Sequence, residues 1–181
     1  MTRVRTWSLV LLAASGLGLA ACGSSSSSPT TTAAPATPTT SAAPTVIGTI
    51  ADPSPAGTFG TQPTIVVPPG APPTELQSKD LIVGTGPAAT AGDSVTVQYI
   101  GVAYSTGKVF DASWTRSQPF QFTLGTGQVI TGWDKGVAGM QVGGRRELIL
   151  PPNYAYGSSS PGSGIAKNDT LIFIVDLIKI N

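Results

Sequence analysis

Gln98-Tyr99-Ile100-Gly101, Gly107-Lys108-Val109-Phe110-Asp111-Ala112-Ser113, Pro119-Phe120-Gln121-Phe122, Val129-Ile130-Thr131-Gly132-Trp133 and Tyr154-Ala155-Tyr156-Gly157 follow one another along one stretch of chain. They put at least six aromatic side chains into one small domain with almost no catalytic-looking polar residues. That composition suits a dry pocket for an apolar ring. It does not suit proton transfer or covalent chemistry.

What the chain lacks sharpens this. It has no histidine, and its one cysteine is Cys22. That leaves no Ser-His-Asp triad, no Cys-His pair and no imidazole metal site. The carboxylates are scattered singly, with no cluster at metal-ligand spacing, so neither a metal nor another cofactor is expected. Gly84-Thr85-Gly86 is followed by Pro87 and lacks the spacing of a phosphate cradle.

Outward from the motifs, residues 74–181 read as one domain large enough for a single core. Leu81–Val83 is expected as a short strand. Ser94–Val102 alternates, with Val95, Val97, Tyr99 and Gly101 on one face, and reads as a longer one. Lys108–Ala112, Phe120–Leu124, Glu147–Leu150 and the apolar run Thr170–Ile180 complete the strands. Trp133, Val137 and Met140 fall at helical spacing, with Thr131 as the expected N-cap. Ser158–Asn168 is a Ser/Gly/Pro-rich loop of the kind that flanks a binding site. The pattern is an α+β domain: an antiparallel sheet with one short helix across its concave face.

Residues 1–21 read as a signal peptide. Arg3 and Arg5 form a basic start, Trp7–Leu19 is apolar and too short to span a bilayer, and Leu19-Ala20-Ala21-Cys22 resembles a bacterial lipobox. In that reading Cys22 is lipidated and joins the membrane at the outer face of the cell. Residues 22–73, nearly uncharged Ser, Thr, Pro and Ala, read as a disordered tether dispensable for folding and a candidate for O-glycosylation. About fifty such residues average roughly 40 Å end to end and stretch to ~150 Å. Without Arg3 and Arg5, eight basic residues face nine acidic ones. No basic stripe offers a surface to nucleic acid.

In order and spacing these motifs resemble the FKBP-type peptidyl-prolyl cis-trans isomerases, the macrolide-binding immunophilins, over roughly Asp80–Asn181. Val-Ile-x-Gly-Trp at 129–133 followed by Tyr-Ala-Tyr-Gly at 154–157 is the strongest pairing. The resemblance implies a half-barrel of antiparallel strands wrapped around one helix, acting as a monomer on X–Pro segments of exported proteins. Macrolides are a second ligand class that it implies. It assigns catalysis to Asp111, Tyr156 and the backbone N–H of Ile130. It assigns substrate binding to Tyr99, Phe110, Phe120, Val129, Trp133, Ile165 and Phe173, with Trp133 as the cavity floor. It also has Tyr99 and Arg116 orienting Asp111. From the residues alone, Trp133 reads equally well as core and Asp111 as a surface carboxylate paired with Arg116.

The late loop departs from the common family pattern. Pro161 stands where histidine is frequent, Gly164 where an apolar residue is, and Ala166-Lys167 where prolines are. A different function class stays open at this point: a proline-peptide-binding scaffold or adhesin with the same fold and little activity.

Overall fold

Six antiparallel strands and one short helix account for the folded domain in the computed structural model, which describes residues 48–181. The expected signal peptide, Cys22 and residues 22–47 of the tether lie outside the described residues. The strands are β1 (Gln77–Ile82), β2 (Ser94–Ala103), β3 (Val109–Ala112), β4 (Phe120–Thr123), β5 (Arg145–Leu150) and β6 (Leu171–Ile180). They pair in the order β1-β5-β6-β2-β3, and β4 also pairs with β2. The first half of β2 takes β4 (Val97 opposite Phe120), and the second half takes β3 (Gly101 opposite Asp111). That division of one long strand sets Phe120 and Asp111 along the same edge of β2, the edge away from β6.

The strand period sorts residues to two faces. Val95, Val97 and Tyr99 of β2, Leu148 and Leu150 of β5, and Leu171, Phe173, Val175 and Leu177 of β6 form the main core. The helix α1 (Thr131–Gly136) lies over this face through Trp133, followed by Val137 and Met140. It is shorter than the Trp133–Met140 spacing suggested. Thr131 is its first residue rather than its N-cap; Ile130 holds the N-cap position, with no side-chain bond. Two glycines let it press on the sheet. A Cβ at Gly132 would sit 2.6 Å from Leu150, and one at Gly136 would sit 2.7 Å from Leu148. Arg146 closes the C-terminal end, donating from Nη1 to the carbonyls of Gly136 (2.9 Å) and Ala138 (3.1 Å) while its other nitrogens hold Asp80.

Residues 48–73 correct the expected boundary at 74, because they pack on the outer face of the sheet instead of hanging free. Thr49 forms a parallel bridge with Ser78 beside β1. Ile50 is 3% exposed and packs with Ile149 and Ile172, whose side chains point away from the main core. The chain then loops over β5 and β6 and returns. Ser54 donates to Glu147 from its N–H (2.8 Å) and its hydroxyl (2.6 Å). Arg145 donates to the carbonyls of Ala56 and Thr61, both at 2.7 Å. The Gly60 N–H donates to Asp176 at 2.9 Å. The loop closes where the Val66 N–H donates to Ser54 Oγ at 2.9 Å, giving the pinched ends of an Ω-loop. Tyr104 then anchors the outgoing chain through its hydroxyl to the Pro68 carbonyl at 2.9 Å.

The physical reason is the character of β5 and β6. Arg145, Glu147 and Asp176 lie under this loop with no exposed surface, Arg145 and Asp176 joined by two bonds of 2.5 and 2.7 Å. Charges taken from water need their remaining valences met. The backbone of residues 54–61 meets them, so a segment poor in apolar residues can still dock.

Candidate functional site

Trp133 is set by the first turn of α1 and stands almost at right angles to its neighbours. Its ring meets Tyr99 at 5.0 Å and 85°, and Phe173 at 5.3 Å and 87°. Phe120 meets it edge-on at 6.1 Å, and Phe110 meets Phe173 the same way at 5.5 Å. Edge-to-face rings are a favourable packing that leaves faces free for a guest. Among the described residues, the Trp133 indole N–H is the one buried side-chain polar group without a partner.

These rings line a cavity of about 420 Å³ together with Asp111, Gln128, Val129, Ile130 and Tyr156. The volume is that of a small-molecule site. Gly101 makes room for two of the walls. A Cβ there would lie 2.5 Å from Phe110 and 2.8 Å from Phe173.

The rim carries the polar groups. The Tyr99 hydroxyl donates to Asp111 Oδ2 at 2.5 Å, Arg116 Nη1 pairs with Asp111 Oδ1, and Arg116 Nη2 donates to the Tyr99 hydroxyl at 2.9 Å. Partial burial pushes the Asp111 carboxyl up, but the bonds from Tyr99 and Arg116 outweigh it and hold the group below the usual carboxylate range. Burial, and then the adjacent carboxylate, push the Tyr99 phenol above its ordinary value. The pair therefore keeps one charge state across neutral pH: Asp111 is a fixed negative charge, unsuited to accepting a proton. Tyr156, which also lines the cavity, is partly exposed. Among the described residues, neither its hydroxyl nor the Ile130 N–H donates to a protein acceptor.

Nine of the ten residues that the sequence singled out for catalysis or binding line this one cavity: Tyr99, Phe110, Asp111, Phe120, Val129, Ile130, Trp133, Tyr156 and Phe173. Ile165 does not. It is 6% exposed and lines a neighbouring depression of about 310 Å³ with Pro161 and Ser163. Phe110, Asp111 and Tyr156 form the wall between the two. Gln128 went unnoticed in the sequence. Its Oε1 accepts from the Thr123 N–H at 2.9 Å, tying the approach to α1 back to β4. Its place directly before Val129-Ile130 was the available signal. Phe122, two residues along β4 from Phe120, is 3% exposed and stacks against it.

Residues 86–178 match the family model described as FKBP-type peptidyl-prolyl cis-trans isomerase. A protein of Streptomyces anulatus named FK506-binding protein is 56% identical over 120 residues, covering 66% of this chain and 97% of the relative. A probable FK506-binding protein of Corynebacterium glutamicum is 46% identical over 117 residues, covering 65% and 97%. Among solved structures, FkpA from Escherichia coli matches with a TM-score of 0.54 and 38% identity, over 60% of this chain and 49% of that one. With the half-barrel, the single helix and the ring-lined cavity beneath them, the chain belongs to the FKBP-type peptidyl-prolyl cis-trans isomerases.

Proposed function

We propose that this isomerase works at the outer face of the cell membrane, anchored by lipid on Cys22, and speeds the folding of exported proteins by turning X–Pro bonds in the ring-lined cavity. The observation that carries the reading is the pairing of a ring-walled floor with a rim of hydrogen-bonding groups. The X–Pro amide is planar by resonance and crosses a barrier of roughly 18–20 kcal/mol. Uncatalysed exchange takes tens to hundreds of seconds. At the barrier the amide is twisted, conjugation is lost and the C–N dipole shrinks. A dry cavity floored by Trp133 disfavours that form less than water disfavours losing the planar one. The Tyr156 hydroxyl and Ile130 N–H are free to donate to substrate carbonyls, and bonds that fit only the twisted form lower the barrier. Each 1.36 kcal/mol so gained is about tenfold in rate. No proton leaves the enzyme, which agrees with a locked Asp111 and a chain without histidine.

The same cavity supports macrolide binding, since the two relatives named above carry FK506 in their names. The test is a protease-free isomerisation assay on the chain from Gly23 onward, with a tetrapeptide substrate and a macrolide competitor. Catalysis suppressed by the macrolide is the expected result. A folded protein that binds the peptide without turning it over defeats the catalytic reading.

A further inference from the structure

The docked segment reaches further than the outer face of the sheet. Ile65 packs on a cluster of Ile100, Ala112 and Ile174, and Trp114 packs on the same cluster. The Trp114 indole N–H also faces the Gly60 carbonyl at 3.5 Å. Ala112 is the neighbour of Asp111, and Trp114 opens the 3-10 turn Trp114–Arg116. Of the four residues between Asp111 and Arg116, Ala112 belongs to the cluster that Ile65 covers and Trp114 meets both that cluster and Gly60.

That support has work to do. The Arg116 and Asp111 side chains are 46% and 36% exposed, and a pair so open to water is only weakly attracted. An attraction of that size does not hold a long arginine in one geometry. A fixed turn does. Buried Ser113 steadies the same stretch, its hydroxyl accepting from the Tyr99 N–H at 2.8 Å and donating to Gln98.

We propose that residues 54–66, seated on the outer face, are a positioning element for the isomerase site: through Ile65 and Gly60 they fix the Trp114–Arg116 turn, and with it the grip of Arg116 on Asp111 and Tyr99 at the cavity. The linkage is reciprocal. A ligand that engages the Asp111 rim tightens the docked segment on the far side of the sheet. The inference rests on Asp111 facing substrate in the proposed function.

The test uses the full chain and three readouts: amide exchange of residues 48–67, kcat/KM on an X–Pro tetrapeptide, and titration of the Asp111 carboxyl followed by carbon NMR. Ile65→Ala and Ser54→Ala loosen the segment at its two ends, and Val66→Ala, an exposed side chain, is the control. In the first two, exchange should quicken, kcat/KM should fall about 2- to 30-fold, and Asp111 should titrate closer to the usual carboxylate range. The control should match wild type in all three. Faster exchange with unchanged kcat/KM and unchanged Asp111 titration overturns the proposal, as does unchanged exchange. Should either variant also open β6, the wild-type protein decides: saturating tetrapeptide must slow exchange at 48–67, and no slowing overturns the linkage. A wild type without activity would sink the functional reading, while the Asp111 titration would still judge the linkage.

Discussion

Asp111 and Tyr156 both line the cavity and differ in what their loss removes. Asp111→Ala takes away a fixed charge and frees Tyr99 and Arg116. Tyr156→Phe takes away one hydroxyl. Each variant should stay folded and lose roughly 2- to 150-fold in kcat/KM, the range of one hydrogen bond to a neutral or charged partner. Circular dichroism and isomerisation rates together check this. Trp133→Ala should instead cost ~3–5 kcal/mol of stability as well as binding, because the same ring is floor and core. The locked rim also sets the pH profile. The Asp111 carboxyl is depressed and the Tyr99 phenol raised, so neither changes charge between pH 5 and 9. kcat/KM should be level there and fall only on the acid side of the usual carboxylate range, where the depressed Asp111 takes a proton. A bell centred near neutrality would mean that some other group titrates in the reaction.

Among the elements, α1 shows packing overriding propensity. Replacing Gly136 by alanine favours an isolated helix by ~1 kcal/mol. Here the new Cβ would land 2.7 Å from Leu148 and push the helix off β5. Gly136→Ala should therefore destabilise the domain by ~1–3 kcal/mol in urea unfolding. Stabilisation would mean that the helix floats more freely than its contacts imply. The strands were readable because a half-buried sheet writes its period into the chain, as Val95, Val97 and Tyr99 do. β1 was misplaced toward Leu81–Val83, since its pairing with β5 begins at Gln77, among residues with no such alternation. The rim was readable only as a set of motifs: no periodicity distinguishes a phenylalanine lining a cavity from one filling a core, as Phe120 and Phe122 show side by side. Ile165, which only the resemblance singles out, packs in the same core as Tyr99 and Trp133 and lines the depression behind Phe110, Asp111 and Tyr156. The docked segment escaped notice because its partners are charged and its own residues small. A clue lay in β6 itself. Leu171-Ile172-Phe173-Ile174-Val175 is apolar on both faces, and a strand buried on both faces needs two covers.

For the whole molecule, the docked segment makes residues 48–73 part of the folded unit. A chain beginning at Thr74 should unfold at lower urea concentration and with a smaller m-value than one beginning at Gly48, since it exposes Ile149 and Ile172 beforehand. The size of the difference should depend on pH. Burial pushes the Glu147 carboxyl up, and the bonds from Ser54 only partly offset this. A group raised on folding binds protons more tightly in the folded state. Its contribution is fully present below the unfolded value and is lost as pH rises through the folded one. The longer chain should thus gain most over the shorter below the ordinary Glu value and progressively less as pH rises above it. A gap that widens with pH would contradict a desolvated Glu147. For the anchor, Cys22→Ala should move the protein from the membrane fraction to the soluble one. A variant that stays with the membrane would dismiss the lipobox.

Docking of residues 48–67 also shortens the tether that the proposed anchor at Cys22 would have. Only about 25 residues separate Cys22 from Gly48. Fully drawn out they cover ~85 Å, little more than half the reach of a tether running to residue 73. Under the proposed lipid anchor at Cys22, the domain would be confined to a shell of that depth, at a local concentration on the order of millimolar. It would meet chains as they emerge from the membrane far more often than chains that have diffused away. Residues 48–50 join the fold on the face of the sheet opposite the cavity, through Thr49 beside Ser78 and Ile50 on Ile149 and Ile172.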